Sequence, residues 1–559
     1  MANLNKTRTA LAVTSPRTIE KIIPEIGLLI DRHAGQKWSG NSKLQSDYCK
    51  DLYASEFYKG RKLPKDLAFA ARDRITRAPK ALGFVDLTPI ISLTPAGESL
   101  LSGKRVHERI TKQLLKFQLP SPYHTSKTNA FFVRPYLELL RLIKDLNGLS
   151  KTEMALFFLQ LTHINKYEQV ADAVRAYRVK AQGKTISHKI FVHAYFEEVV
   201  KEIYAAEIAG GKTKIRESKD ASLKKFITTK HRNMLDFADA FQRYLRATSL
   251  VTHAKGTYRL IIAPSKLDEV EFILANTERE PVRFSNTKQF KAYLFSSTNL
   301  PLLVDDEALL LAKLAQRGHS IRTGTMPLEA LKDLLETTES ELLEKRKEEV
   351  KSELKDFQQF EAILSVFDQI KKKEVPDPAL FLEWNVWRAL VMLNYAVATK
   401  GNFVMDPDNA MPVYAAPGKL PDIEVDYGDF GMIVEVTMSS GQKQYDMEGE
   451  PVARHFGRAR EAKEDMYCLF IAPSISEGTL AHYFNLNKMN TRHYGGKTRI
   501  VPLTVAQFVD FLSLARKHGF NDPHKVKHWL NGACEFNQDC EDEVAWQKHI
   551  ASSMKTWAA

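Results

Sequence analysis

Two carboxylates carry the first chemistry to be read in this chain. Residues 420–437 run LPDIEVDYGDFGMIVEVT. Ile423, Val425 and Tyr427 alternate along one strand, and Met432, Val434 and Val436 are apolar on a second, beside Ile433. Gly428-Asp429 between them is a two-residue hairpin turn. That turn sets Tyr427 against Phe430 and, counting outwards, Asp422 against Glu435. Directly opposed side chains have Cβ atoms about 4.5–5.5 Å apart, so two ionised carboxylates there repel each other. A divalent cation between them removes the repulsion and supplies a reason for the pair. Mg²⁺ is hard and oxygen-ligated; it can activate water and stabilise charge on a phosphate in flight. Glu424 and Asp426 share the strand face of Asp422, and either could serve as a ligand in its place.

Proline–Asp, a strand, then Glu-x-x is the pattern of the PD-(D/E)xK nucleases. Their third position is usually Lys; here it is Thr437, which leaves open the group that assists the attacking water. An ordinary surface hairpin with a polar wet face satisfies the same short pattern, so the surrounding elements have to decide.

The 559 residues suffice for two to four domains. At 44% hydrophobic and 26% charged the chain has an ordinary soluble composition. No apolar run reaches the roughly 18 residues of a membrane span, and the first residues lack the apolar core of a secretory signal. Cys49, Cys468, Cys534 and Cys540 form neither a CxxC pair nor a disulfide framework. A reducing, bacterial cytoplasm is the expected location, with no membrane partner. The net charge is +12, and residues 1–120 hold 21 Lys+Arg against 11 Asp+Glu. A basic excess of that size favours a polyanion, with nucleic acid as the leading partner.

The elements that must position the carboxylates follow from patterning. Residues 1–125 are expected to form a winged-helix-like DNA-recognition subdomain. A short helix from Ala68 exposes Arg72, Arg74, Arg77 and Lys80, and a β-wing follows over Phe84–Leu87 and Ile91–Leu93. Basic side chains on such a helix read guanine edges or contact phosphates. Residues 126–275 form a second helical, winged subdomain. Ser150 and Glu153 make a capping box there. A basic stretch holds Lys212, Lys214, Arg216, Lys219, Lys224, Lys225 and Lys230, a helix runs from Met234, and a hairpin turns at Lys255-Gly256. This subdomain either grips the DNA backbone or packs with a wet basic face. Residues 276–375 are a helical linker, dense in Glu and Lys from Leu328 to Lys373, ended by Pro376-Asp-Pro378. Residues 376–559 are an α/β cleavage domain. In order it has a helix carrying Glu383, the hairpin, a helix begun by Pro451, a near-continuous apolar strand from Met466, a strand from Thr498 and a helix from Val505. That is a mixed sheet flanked by helices.

Several longer runs resemble one family, the type IIS restriction and nicking endonucleases grouped around AlwI, PleI, MlyI and the BstNBI nicking enzymes. They are Pro16-Arg-Thr-Ile-Glu-Lys-Ile-Ile-Pro-Glu, Arg72-Asp-Arg with Gly83-Phe-Val, Phe381-Leu-Glu-Trp, Gly401-Asn-Phe-Val, Pro421-Asp, Glu435-Val-Thr, residues 447–455 and residues 467–473. The resemblance implies an N-terminal DNA reader, a helical linker and a C-terminal PD-(D/E)xK domain. It implies a short asymmetric duplex site, cut a few bases to one side. Asp422 and Glu435 would bind Mg²⁺ (with Mn²⁺ as a substitute), and the Val436 carbonyl is a further ligand. Glu448, His455 and Glu383 match the family's other catalytic positions. Thr437 matches the family too. By the residues alone, Glu448 reads as a solvated acidic turn, His455 as a surface or phosphate-contacting residue and Glu383 as a helix-terminus charge.

The expected activity is Mg²⁺-dependent hydrolysis of DNA phosphodiesters by in-line attack of water. One active site cuts one strand, so cutting both requires a transient homodimer or a second subunit; a strand-specific nicking enzyme is the alternative. A cognate DNA methyltransferase is the expected genetic partner. A non-catalytic winged-helix regulator is the rival from another class, and a structure-specific repair nuclease is a rival on the same fold.

Overall fold

The computed structural model describes residues 2–16, 19–55, 57–58, 63–215, 218–415 and 420–558. The chain divides into two compact units, one of Met1–Leu52 with Leu63–Glu339 and one of Tyr53–Lys62 with Ser340–Ala559. The finer division drawn from the sequence is kept as a proposal.

The first unit is helical, with short two-stranded ribbons. Asp66 caps the helix Leu67–Thr76, and Thr94 caps Pro95–Leu101 through the amide of Gly97. Between them Val85–Asp86 pairs antiparallel with Ser92–Leu93, where the wing was expected. Both halves of the Ser150/Glu153 capping box are formed. A second ribbon pairs Val251–His253 with Leu260–Ile262. Gly256 supplies the left-handed backbone of its loop (φ +79°).

One expected boundary shifts. The helix expected from Met234 starts earlier: Ser222 caps a helix Leu223–Arg246, which takes in Lys224, Lys225 and Lys230 of the basic stretch. Phe226, Ile227, Met234, Ala238, Phe241 and Leu245 form its buried stripe, and lysine is a good enough helix former to sit in the first turns. The helices expected beyond Leu328 are Leu328–Leu354 and Phe360–Lys372. Asp356 and Phe357 take left-handed backbone between them, and a short local break of this kind leaves no mark on hydrophobic periodicity.

The second unit carries the α/β layer. Its elements are α1 (Phe360–Lys372), α2 (Pro378–Met392), β1 (Ala398–Gly401), β2 (Ile423–Asp426), β3 (Gly431–Val436), α3 (Gly441–Ala462), β4 (Met466–Ala472), α4 (Glu477–Lys488), β5 (Ile500–Thr504), α5 (Val505–His518), α6 (His524–Asp539) and α7 (Glu543–Ser553). The sheet order is β5-β4-β3-β2-β1. Pairing is antiparallel from β1 to β3 and parallel from β3 to β5, the mixed sheet expected. Every residue of β3 and β4 is buried, so both faces are covered. The right-handed crossover rule puts α3 and α4 on one face; the rings of Phe470 on β4 and Tyr483 on α4 lie 5.3 Å apart there. Helices α2 and α5 also pack on the sheet.

Pro451 does not begin a helix. It lies inside α3, which starts at Gly441. Its first turns are rich in Gly, Gln and Glu and lack an apolar stripe, so a proline suited to a first turn was a false start signal. The turn assigned to Glu448 is therefore helix.

Candidate active site

The β2–β3 hairpin is built by its aromatic tip. Tyr427 and Phe430 stack at 4.5 Å with ring planes 11° apart, and the Tyr427 amide donates to the Phe430 carbonyl at 3.0 Å. The register that follows pairs Ile423 with Val434 and Asp426 with Gly431. One step further out, Asp422 faces Glu435, as the two-residue turn required. Asp422 is held there by its own contacts. Its Oδ2 accepts the Val436 amide at 2.8 Å, and its carbonyl accepts the Asn402 amide at 3.0 Å.

Glu435 and Thr437 project from the same face of β3, because side chains alternate along a strand. That face meets α3. His455 Nδ1 lies 2.7 Å from Glu435 Oε1, with both side chains buried. An ionised carboxylate can only accept, so Nδ1 carries the proton of this hydrogen bond. Thr437 Oγ1 donates to Glu448 Oε1 at 2.8 Å. Glu448 and His455 lie seven residues apart on α3, two turns, and so share a face. Gln444, one turn before Glu448, is fully buried. Cys468 of β4 lies beneath the group: burial pushes its thiol well up, and the charges of Glu435 and Asp422 push it further. A thiol so held stays protonated and acts as packing.

The alternative ligands are otherwise engaged. Glu424 Oε1 accepts Asn402 Nδ2 at 2.7 Å. Asp426 is held below the usual carboxylate range, chiefly by its hydrogen bond from Lys463. Glu383 is buried on α2, which packs against β1 and β3.

Among the described residues no three His, Cys, Asp or Glu side chains converge in metal-binding geometry. Mg²⁺ does not need such a cage. It keeps several waters and is held by one or two carboxylates plus substrate phosphate. The donor set of Asp422, Glu435 and the Val436 carbonyl is all hard oxygen and fits that ion; the cysteine beside it is a protonated thiol and no competitor.

The basic residues expected to meet DNA behave differently from one another. Exposure was expected for Arg72, Arg74, Arg77 and Lys80, and it holds only for Arg77, which pairs with Asp73 at 2.5 Å. Arg72 donates to Gln45 at 2.7 Å, and Arg74 forms a two-pronged ion pair with Glu25, a buried carboxylate. Lys80 lies over the Tyr123 ring at 4.7 Å, and burial lowers its ammonium from the usual lysine value. Single-sequence spacing reads an Arg-rich helix face as wet; the buried Glu25, far away in sequence, could not be foreseen. Lys224 and Lys225 are exposed in the first turn of their helix, and Lys230 sits 4.5 Å over Tyr204. Arg17, Thr18 and Arg216 lie outside the described residues.

Asn402, Thr437 and Gln444 were not singled out as site residues. Their signals were present: Asn402 stands in the Gly401-Asn-Phe-Val run, Thr437 in the motif's third position and Gln444 four residues before Glu448.

The model of the AlwI restriction endonuclease family matches residues 80–511. The chain belongs to that family. The match takes in the hairpin, α3 and β4, and so Asp422, Glu435, Thr437, Glu448 and His455. No curated protein matches the chain. Solved structures similar to it include the small subunit (R.BspD6I2) of the heterodimeric restriction endonuclease R.BspD6I, 24% identical, with 34% of this chain and 97% of that one covered and a TM-score of 0.30. Another is the BpuJ1 endonuclease binding domain in complex with pyrene- and phenanthrene-modified DNA, 14% identical, with 52% and 96% covered and a TM-score of 0.32. Both TM-scores are low. As an AlwI-family member the chain is a restriction endonuclease in fold and lineage, with a mixed five-stranded sheet.

Proposed function

We propose that this chain is a type IIS endonuclease. On this reading it binds a short asymmetric duplex site through its first unit and hydrolyses phosphodiesters outside that site with Mg²⁺. The observation that carries the reading is the cross-strand Asp422–Glu435 pair with His455 hydrogen-bonded to Glu435. Asp422, Glu435 and the Val436 carbonyl would hold the ion, which supplies Lewis acidity toward water and the phosphate oxygens.

The protein's own groups have definable roles. The amide of Val436 fixes Asp422, and the His455 imidazole fixes Glu435, so both carboxylates are oriented before DNA arrives. With Nδ1 engaged by Glu435, Nε2 is the nitrogen of His455 assigned to exchange a proton with water or with the departing 3′ oxygen. Glu448, held by Thr437, orients the water. Glu383 on α2 is a further acidic group of the site. Arg77, Lys224 and Lys225 are the exposed cations proposed to touch DNA phosphates, and Arg72 is proposed to reach DNA from its partly buried position. Arg74, Lys80 and Lys230 support that surface from beneath.

The test is incubation of the full chain with supercoiled plasmid and Mg²⁺, with run-off sequencing of both strands at the ends. Breaks at a fixed offset from a common short sequence are expected, and chelation of Mg²⁺ should stop cutting while specific binding persists. Breaks on one strand only would make it the nicking form of the same enzyme. Specific binding with no cutting in Mg²⁺ or Mn²⁺ would leave the non-catalytic regulator.

A further inference from the structure

We propose that Thr437 is a positioning residue: its hydroxyl, in the place where the PD-(D/E)xK pattern usually has Lys, holds Glu448 in the site. This rests on the reading of Asp422, Glu435 and Glu448 as the cleavage centre. Thr437 is buried, and its amide donates to the Ile471 carbonyl of β4 at 3.0 Å, which pins its backbone at the carboxyl end of β3. Its Oγ1 accepts the Ser439 amide at 3.0 Å and donates to Glu448 Oε1 at 2.8 Å. With the acceptor role taken by Ser439, the hydroxyl proton is directed at the carboxylate.

The turn that makes this possible is itself tied down. Gln444 Nε2 donates to the Ser439 carbonyl at 2.9 Å and to the Ser474 carbonyl at 2.8 Å, and Oε1 accepts the Ser476 amide at 2.8 Å. A fully buried amide thus uses both protons and its oxygen on two loops at the carboxyl ends of β3 and β4. Gln444 and Glu448 lie one turn apart on α3, so the chain of bonds closes on itself: Gln444 to Ser439, Ser439 to Thr437, Thr437 to Glu448 and back along the helix. Such a ring sets the height of α3 against the strand ends. Lysine would reach past the strand with a charge of its own. Threonine instead orients a carboxylate on the neighbouring helix.

The experiment uses the full chain and compares wild type, Thr437→Val, Thr437→Ser, Glu448→Gln, the Thr437→Val/Glu448→Gln double variant and Glu435→Ala. It reads the single-turnover cleavage rate of supercoiled plasmid in saturating Mg²⁺, the half-saturating DNA concentration and the circular dichroism melt. Valine keeps the branched shape and removes the hydroxyl. Thr437→Val should slow the single-turnover rate by about 10- to 100-fold, the usual effect of losing a supporting hydrogen bond around a metal site. The half-saturating DNA concentration should stay within about twofold. Thr437→Ser, which keeps the hydroxyl, should come back to within about threefold of wild type. The double variant should be no slower than Glu448→Gln, because the two residues act as one unit. Thr437→Val at the wild-type rate, or a double variant slowed by the product of the single effects, would overturn the proposal. If Thr437→Val does not fold, Thr437→Ser decides: a rate reduced 10-fold or more in a folded serine variant means that the methyl group, not the hydroxyl, matters. Glu435→Ala separates the two questions. If it cuts normally, the centre lies elsewhere and both readings fall. If it is inactive while Thr437→Val cuts normally, only the role of Thr437 falls.

Discussion

His455 shows how much one hydrogen bond constrains the chemistry of a single residue. Its Nδ1 is committed to Glu435, so its proton-transfer role falls to Nε2. Asparagine at this position can place its amide N–H where Nδ1 was, while offering nothing at Nε2. His455→Asn should therefore keep the thermal midpoint near wild type and lower the single-turnover rate by about 10²- to 10⁴-fold, the usual contribution of a positioned acid or base. A melt shifted as strongly as the rate would make His455 a packing residue. Asp422→Asn and Glu435→Gln remove charge with little change of shape. Each should abolish cutting, by about 10³-fold or more, and leave binding of the recognised duplex unchanged in a gel-shift assay. A variant that cuts at wild-type rate would exclude that carboxylate from the site.

At the scale of elements, the helix Leu328–Leu354 is fastened near its start by ion pairs whose basic members are buried. Arg105 pairs with Glu329 and with Asp333. Lys332 and Lys112 share Asp305, at 2.5 and 2.7 Å. Lys266 bridges Glu339 and Glu269, at 2.9 and 3.0 Å, and Lys313 reaches Glu269 at 2.7 Å. Burial alone would raise the Glu269 carboxyl, but Lys266 and Lys313 outweigh it and hold its pKa at about 2. A carboxylate depressed in the folded state contributes stability above its unfolded pKa of about 4.3 and loses it as pH falls through the folded value. Unfolding midpoints in urea should therefore drop between about pH 4 and pH 2 in the wild type and less steeply in Glu269→Gln. At pH 7 Glu269→Gln leaves two buried ammonium groups short of a partner, a loss on the order of 3–5 kcal/mol. An unchanged midpoint would show that Glu339 and Asp268, which lies 3.2 Å from Lys313, suffice as counter-charges.

For the whole molecule, the basic balance and the proposed cleavage centre each have a consequence. A chain of net charge +12 that neutralises several phosphates releases counterions. Its DNA affinity should fall linearly on a log–log plot against salt, with a slope of about −0.9 per phosphate contact. Removing Lys224 and Lys225 together should lower that slope by about two; an unchanged slope would place these lysines away from DNA. If the proposed centre is the one that cuts, each chain cuts one strand at a time, and nicked circles should accumulate before linear DNA. If the chain cuts both strands by pairing with a second copy, the nicked-to-linear step should accelerate with protein concentration while the first nick does not. A second step independent of concentration would rule out that pairing.

The hairpin register, the mixed sheet and the pairing of Asp422 with Glu435 were all legible in the sequence. Each rests on local rules: a two-residue turn fixes which residues face each other, and alternation fixes which share a face. The Ser150/Glu153 box and the two ribbons of the first unit were legible for the same reason. Contacts between residues far apart in the chain were not. Nothing near Arg74 announces Glu25, and nothing in residues 441–450 announces a helix whose stability comes from packing on β3 and β4. Hydrophobic spacing reports the face an element buries, not the partner it meets there. Tertiary structure alone therefore decided that His455 reaches Glu435, that Thr437 holds Glu448 and that Gln444 joins the two loops beneath them. Those contacts depend on how α3 seats on the sheet, which is set by packing of distant segments and not by any local pattern.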